Sequence, residues 1–335
     1  MLRSTRPLSR GAAVPALLAL TAALAVAACD QQQDPLAPSA EPESPAIAPA
    51  QDQVPVGFAG SGGQIAIESP SPDGVNIRRI GPLGGSLGSV TSFTKETVQN
   101  PSWSWDNKRI AMTRWRPDGQ GGGTGDIWIV NADGFNGHWA RPYASPWSFL
   151  SPAFSVDGTR IVMCVYIQSV CYLGSMDLAT GNATLIYYPA GGAVRGNRPT
   201  FDPTGTRIVY IGGSYSTVEQ IKLDGTGHKV LVSANNLLDY PSFSPDGKRV
   251  AYEKGPPNGN SEIWVKTLAT GANKQLTFNG ATDRHASWSP DGTRLVFWST
   301  RSGKGQVHSM SSTTGGDLKQ ITKSTGGEGY PSWSH

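Results

Sequence analysis

Short apolar segments separated by polar turns recur along the chain from about residue 60 onward. Each unit opens with a short segment that has an aromatic residue at its third position, turns sharply, and continues into a strongly apolar segment. The five units are "PSWSWDNKRIAM" (Pro101–Met112), "PAFSVDGTRIVM" (Pro152–Met163), "PTFDPTGTRIVY" (Pro199–Tyr210), "PSFSPDGKRVAY" (Pro241–Tyr252) and "ASWSPDGTRLVF" (Ala286–Phe297). The fragment "PSWS" (Pro331–Ser334) begins a sixth, and successive units start 51, 47, 42, 45 and 45 residues apart.

This pattern predicts four short β-strands in each unit. In the turn "PDG", Pro sets φ, Asp bonds to nearby amides and Gly accepts a left-handed conformation. A third strand is predicted at Ser261–Leu268 and a fourth at Asn273–Phe278. Four short strands cannot bury both faces of a sheet alone, so the units must pack against one another. A period of about 45 residues is typical of propeller blades, and a β-sandwich or a β-solenoid would not show it.

The two ends of the repeat region predict the number of blades. "GGQIAIES" (Gly62–Ser69) aligns with an apolar second strand and has no first strand before it, whereas "PSWS" is a first strand with no second strand after it. Together they complete one blade. The sequence therefore predicts an all-β, six-bladed propeller of four-stranded antiparallel blades, closed by pairing of the C-terminal strand with the N-terminal segment.

Composition agrees with this fold, and net charge reduces the classes of partner to be expected. Gly 41, Pro 25 and only 16% charged residues favour many turns and short strands. The formal charge of +3 is due to Arg3, Arg6 and Arg10, because residues 29–335 hold 25 basic and 25 acidic residues. Net charge therefore gives no reason to expect binding to nucleic acid or to an anionic membrane.

The first 59 residues predict export and anchoring. Residues 1–28 combine a basic start with an apolar stretch and read as a lipoprotein-type signal peptide. "VAAC" (Val26–Cys29) resembles a bacterial lipobox, which implies lipidation of Cys29; simple secretion is the alternative. Residues 29–59 are rich in Pro, Ala and Gln and are expected to form a disordered tether, followed by the propeller at 60–335.

The recurring phrase P-S-W-S-P-D-G-x-R, followed by "IWV" and "QLT", resembles the WD-like repeat of the periplasmic TolB propeller. Related repeats occur in prolyl-oligopeptidase-type propellers and in carbohydrate-active lyases. TolB carries an additional α/β domain ahead of its propeller, whereas here a tether takes that place. The resemblance implies a monomeric, non-catalytic envelope lipoprotein that faces the periplasm or the outer surface and binds an envelope protein or peptide. The alternative is a glycan-binding or glycan-active propeller that uses its central channel.

Signals of catalysis or cofactor binding are sparse, and no catalytic residue, metal or cofactor is predicted. "GGSLG" (Gly84–Gly88) matches G-x-S-x-G, but it lies in a predicted strand–strand turn rather than before a helix. The five histidines are not at metal-ligand spacings. A recurring Asp–Arg pair, such as Asp246 and Arg249, is interpreted as stabilising the turn, because it returns in nearly every unit.

Two cysteines remain after Cys29. Cys164 and Cys171 flank a hairpin predicted near Ile167–Gln168, roughly opposite each other. An exported protein would keep such a pair oxidised, so a disulfide with a loop longer than two residues is predicted. Two buried free thiols are the alternative.

The unusual sequences lie in loops that a propeller brings to one face, namely the second-to-third strand loops and the crossings between blades. Aromatic and arginine side chains on such loops favour protein or peptide recognition; ordinary rim packing is the alternative. The predicted partner face comprises Arg114, Trp115, Arg116, Tyr215, Asp283, Arg284, His285, Trp298 and Arg301.

Overall fold

The computed structural model describes residues 63–72, 74–117, 123–141, 146–257 and 259–335. The predicted signal peptide, Cys29 and the tether lie outside these ranges, and so does the side chain of Arg116. The described residues form 24 strands in six four-stranded sheets, with antiparallel pairing between neighbouring strands. None of the described ranges holds a helix that is long and apolar enough to cross a bilayer.

Each sheet is one blade, written here from its innermost to its outermost strand. Blade 1 comprises β24 (Gly329–Trp333), β1 (Ile65–Ser71), β2 (Gly74–Ile80) and β3 (Ser86–Ser89). Blade 2 comprises β4 (Val98–Trp103), β5 (Arg109–Pro117), β6 (Gly123–Asn131) and β7 (His138–Trp139). Blade 3 comprises β8 (Ser148–Phe154), β9 (Arg160–Ile167), β10 (Val170–Asp177) and β11 (Ala183–Leu185). Blade 4 comprises β12 (Gly196–Phe201), β13 (Ile208–Gly212), β14 (Thr217–Ile221) and β15 (Lys229–Ser233). Blade 5 comprises β16 (Leu237–Phe243), β17 (Arg249–Gly255), β18 (Glu262–Thr267) and β19 (Asn273–Gln275). Blade 6 comprises β20 (Asp283–Trp288), β21 (Arg294–Ser302), β22 (Lys304–Ser311) and β23 (Lys319–Gln320).

The ring closes in blade 1, as the sequence predicted. Strand β24 pairs antiparallel with β1, with Trp333 opposite Ile65. The backbone N–H of Ser334 donates to the Gln64 carbonyl at 2.8 Å, and the Gln64 N–H donates to Ser334 Oγ at 2.8 Å. His335 then stacks on Trp105 of blade 2 with ring centroids 3.9 Å apart. The first strand of this blade is thus supplied by the last residues of the chain, and the fold is a six-bladed β-propeller.

Six clusters of buried apolar side chains join the blades, one at each interface between neighbouring sheets. The interface between blades 6 and 1 contains Ile65 and Trp333 from blade 1 and Val296 and Val307 from blade 6. Its composition matches that of the other five interfaces, for example Ala66, Trp103 and Met112 between blades 1 and 2. The hydrophobic core is therefore continuous around the ring.

The repeated phrase forms a turn and a bridge to the next blade. Ser244 Oγ donates to Asp246 Oδ1 at 2.5 Å and accepts the Arg249 N–H at 2.9 Å. The Arg249 guanidinium lies 4.5 Å from the Trp288 ring centre of the next blade, and Nη2 donates to the Gly292 carbonyl at 2.9 Å. The same stacking places Arg109 over Phe154 and Arg207 over Phe243. The Asp stabilises the turn as predicted, whereas the Arg stabilises the contact between blades.

The predicted disulfide joins Cys164 and Cys171, with their Cα atoms 5.4 Å apart. The hairpin turn is Gln168–Ser169, and both residues have positive φ, at 47° and 66°. This is a two-residue turn, so the predicted longer loop is wrong. Cys171 lies opposite Tyr166, and the cysteines are therefore diagonal neighbours on one sheet face rather than a directly opposed pair.

Candidate functional site

Six residues with positive φ surround one end of the central channel. Each lies at an irregularity in the pairing of an innermost strand with the next strand of its blade. They are Asn100 (55°), Ser151 (54°), Arg198 (55°), Tyr240 (46°), His285 (57°) and Tyr330 (41°). Proline follows five of the six, and it has no N–H to donate to the ladder, which favours a bulge here. We name these six residues the mouth ring.

The mouth ring surrounds a cavity of about 150 Å³. Below it, the channel is lined by one small residue from each blade, namely Ser102, Ala153, Thr200, Ser242, Ser287 and Ser332. The residues that follow the mouth ring in each repeated sequence are thus similar in all six blades. The mouth-ring position itself holds an amide, a hydroxyl, a guanidinium, an imidazole and two phenols. This chemical asymmetry is concentrated where a ligand could enter.

Arg198 extends across the cavity and connects four blades. Its Nη1 donates to Asn100 Oδ1 at 3.2 Å and to Ser151 Oγ at 3.0 Å, and its Nε donates to Asp239 Oδ1 at 3.2 Å. The guanidinium carbon lies 3.9 Å from the centre of the Tyr240 ring. Its Nη2 makes no hydrogen bond with the residues that the structure describes. Three of the five N–H donors of this largely enclosed cation are thus used, and the two on Nη2 remain without a described partner.

Two carboxyl groups are buried directly behind the mouth ring. Glu68 and Glu253 are each 3% exposed. Glu68 accepts the backbone N–H of Asn100 at 2.8 Å, and Glu253 accepts that of His285 at 2.5 Å. Burial raises the pKa of each to about 8, and at Glu253 the charge of Asp239 adds to the rise. Those N–H groups and Arg198 offset the rise only in part. Buried acids with strongly raised pKa values concentrate at functional sites.

His285 is enclosed by aromatic rings and has unsatisfied polar atoms. Its ring centre lies 3.5 Å from that of Tyr240 and 3.6 Å from that of Tyr330. Neither ring nitrogen has a hydrogen-bond partner in the part of the chain that the structure describes, and the residue is 6% exposed. Burial and the charges of Arg198 and Arg284 lower its pKa well below the ordinary value, so the imidazole is neutral. A buried imidazole without partners is costly for the fold alone.

The predicted partner face divides into two groups. Arg114 is held by a bidentate ion pair with Glu96 at 2.6 and 3.0 Å and lies 3.8 Å from the Phe93 ring centre, so it supports blade 2. Asp283 is fully buried and pairs with Arg301 at 2.7 Å inside blade 6. Both pairs belong to the framework around the mouth rather than to its opening.

The other predicted residues lie nearer the opening. His285 belongs to the mouth ring, and the neighbouring Arg284 acts electrostatically on it and on Glu253. Trp298 stacks with Tyr330 at 6.5 Å between ring centres. Tyr215 is 36% exposed at the rim, where its hydroxyl accepts from Asn197 Nδ2 at 2.8 Å.

Trp115 is half-buried, and its indole N–H donates to Gln99 Oε1 at 3.4 Å. For Arg116, the backbone belongs to β5 and the side chain lies outside the described residues.

Sequence reasoning missed Arg198, Tyr240, Tyr330 and Glu68, which dominate the site. A usable signal was present in the position immediately before each "PSWS"-type phrase. The residue at that position differs in nearly every unit, whereas the residues after it repeat. Packing of the blades fixes the repeated residues, so a variable position among them indicates a surface whose side chains serve another purpose.

The G-x-S-x-G motif and the histidines do not form a catalytic or metal site in the described residues. Ser86 of "GGSLG" is exposed on the outermost strand β3, where its hydroxyl accepts the Gly88 N–H at 3.3 Å. The next described segment is again extended or turn structure rather than a helix, so the motif has no nucleophile-elbow geometry. Within the described residues, no group of three or more His, Cys, Asp or Glu side chains is arranged to hold a metal ion.

Part of the propeller sequence is similar to the sequences of known proteins. Residues 198–335 match the family model described as the TolB beta propeller domain. The Bacillus subtilis uncharacterized peptidase YuxL is 34% identical over 116 residues, and the Tol-Pal system protein TolB of Alcanivorax borkumensis is 31% identical over 107 residues. These matches cover 32% and 29% of this chain but only 18% and 24% of those two proteins.

Structural similarity extends further than sequence similarity. The crystal structure of TolB from Acinetobacter baumannii superimposes with a TM-score of 0.67 at 19% identity, covering 81% of this chain and 66% of that one. At this identity the likeness shows the fold alone. The chain is thus a six-bladed β-propeller protein. Its propeller is TolB-like.

Proposed function

We propose that this protein is a non-catalytic binding scaffold of the cell envelope, anchored through lipidated Cys29, whose propeller binds a protein or peptide at the mouth ring. The observation that carries the proposal is the mouth ring itself. Six left-handed residues are held there by the surrounding sheets, and strained backbone of this kind is often found at ligand clamps. The likeness to TolB, a protein named for the Tol-Pal system, supports an envelope location.

Exposed apolar side chains around the mouth support a macromolecular partner. We name the face that carries the second-to-third strand loops and the blade crossings the upper face, and the opposite one the lower face. On the upper face, Tyr215 is 36%, Trp147 47% and Phe278 74% exposed. They lie on loops of different blades, so a partner could contact several blades at once.

Capture from native membranes tests this function. The variant Tyr215→Ala/Phe278→Ala should capture about tenfold less partner than wild type, because it removes two exposed apolar contacts at the rim. The matched control is Leu83→Ala/Phe135→Ala, which removes two exposed apolar side chains (81% and 49%) from lower-face turns. The control should capture as wild type does. Equal capture by all three proteins, or turnover of a glycan panel by the wild type, would refute the proposal.

A further inference from the structure

The Nη2 group of Arg198, with its two N–H donors, has no hydrogen-bond partner among the described residues. The Nε and Nη1 groups donate to Asp239, Asn100 and Ser151, which orients the guanidinium plane, and Arg198 lines the cavity. Guanidinium groups fixed in this way are well suited to bind the oxygen atoms of a carboxylate.

The charges around the cavity also favour an anion. Arg198 and Arg284 are positive and Asp239 is negative. Glu68 and Glu253, whose pKa values are about 8, are mostly protonated at pH 7, and His285 is neutral. The phenols of Tyr240 and Tyr330 are also neutral, because burial raises both pKa values. The mouth thus carries about one net positive charge at neutral pH.

The size and lining of the cavity favour a short side chain or a chain end. Prolines from five blades and the rings of Tyr240 and Tyr330 make most of the wall apolar. About 150 Å³ accommodates a small group rather than an oligosaccharide. The unsatisfied His285 ring forms part of the same wall. Burial is the main reason that the pKa of His285 is low, and the positive charge of Arg198 adds to it. A carboxylate on Arg198 would weaken that second contribution, which couples the two residues.

We propose that the mouth ring recognises a carboxylate of its peptide ligand on Arg198, supplied by an Asp or Glu side chain or by a free C-terminus. This inference rests on the proposed function and names the chemistry of the ligand. The apolar wall then contacts the adjoining part of the peptide.

Titration of the folded protein with small carboxylates tests the inference. The probes are acetate, N-acetylglutamate α-amide for a side-chain carboxylate, N-acetylalanine for a C-terminus, galacturonate for a sugar acid, and acetamide as the neutral isostere. The ring signals of His285 and Tyr330 should shift saturably in NMR spectra with acetate and at least one of the two amino-acid derivatives, and not with acetamide. Which derivative binds more tightly identifies the source of the carboxylate. Equal shifts with acetate and acetamide would overturn the inference, and so would tighter binding of galacturonate than of either derivative.

Substitutions of two arginines test whether the carboxylate binds at Arg198. Arg198→Gln should weaken acetate binding at least about tenfold, because it removes a charged donor. The matched control Arg195→Gln changes an exposed arginine three residues away and should bind as wild type does. Unchanged affinity in folded Arg198→Gln would overturn the inference.

The pH dependence of the wild type provides a test that does not depend on the folding of a variant. Between pH 7 and 9, Glu68 and Glu253 ionise and reverse the net charge of the mouth. Acetate should therefore bind more weakly at pH 9, and constant or rising affinity would contradict the inference. If acetate fails to bind while the partner is still captured through Tyr215 and Phe278, the carboxylate inference falls and the proposed function stands.

Discussion

Deletion of Pro331–His335 should destabilise the entire propeller, lowering its melting temperature by at least about 10 °C or preventing cooperative unfolding altogether. The deletion removes most of β24, so that Ile65 and Ala66 of β1 lose their partners, and it removes Trp333, which is 4% exposed in the interface between blades 6 and 1. Loss of a buried tryptophan alone costs about 3–5 kcal/mol. Total stability of folded domains is about 5–15 kcal/mol, so the loss is a large share of it.

The matched control is deletion of His335 alone. It removes the stacking on Trp105 and two hydrogen bonds with Asn107 but leaves β24 in place. We expect a loss of about 1–2 kcal/mol, seen as a shift of a few degrees. Both proteins can be compared by differential scanning calorimetry. A Pro331–His335 deletion as stable as the wild type would contradict ring closure by β24.

Replacing the two buried acids should stabilise the protein at alkaline pH. The folded-state pKa values of Glu68 and Glu253, about 8, exceed the ordinary value of 4.5. Their favourable contribution is therefore complete below pH 4.5 and is lost as pH rises toward 8, at up to about 1.4 kcal/mol per pH unit for each group. In Glu68→Gln/Glu253→Gln, the amide oxygens can still accept the N–H groups of Asn100 and His285.

Urea unfolding at pH 5 and pH 8 measures the effect. The double variant should be a few kcal/mol more stable than wild type at pH 8 and nearly equal to it at pH 5. Glu96→Gln is the control, because it breaks the ion pair with Arg114 and should lower stability at both pH values. The same dependence on pH in wild type and double variant would show that these carboxyl groups are not held protonated.

The architecture was predictable because the repeated phrase encodes it locally. The aromatic third position, the Ser–Asp turn and the apolar second strand recur in each blade, so local propensity and global fold agree. The broken phrase at the two ends predicted both the blade number and the closure at β24. The spacing of the two cysteines around a hairpin predicted the disulfide. It did not predict the pairing register, because moving the turn by one residue along the chain leaves the same side chains on each face of the sheet.

The mouth was less predictable for a physical reason. Arg198, Tyr240 and Tyr330 have left-handed backbone conformations that their residue types rarely adopt. Five of the six mouth-ring residues precede a proline, which ordinarily favours an extended conformation in the residue before it. Glu68 looks like an ordinary strand residue, since its carboxyl group is buried only once blade 2 is packed against it. Arg114 and Arg301 resemble free loop cations in the sequence, but their partners Glu96 and Asp283 are 18 residues away.

Photocrosslinking in cells tests the central claim, that the upper face of the propeller binds a partner, most directly. A photoreactive phenylalanine analogue is placed at Tyr215 on the upper rim or, as the matched control, at Phe135 in a lower-face turn; both side chains are exposed. Binding at the upper face should give a discrete protein adduct from position 215 and none from position 135. An adduct from position 135 alone, or no adduct from position 215, would contradict it.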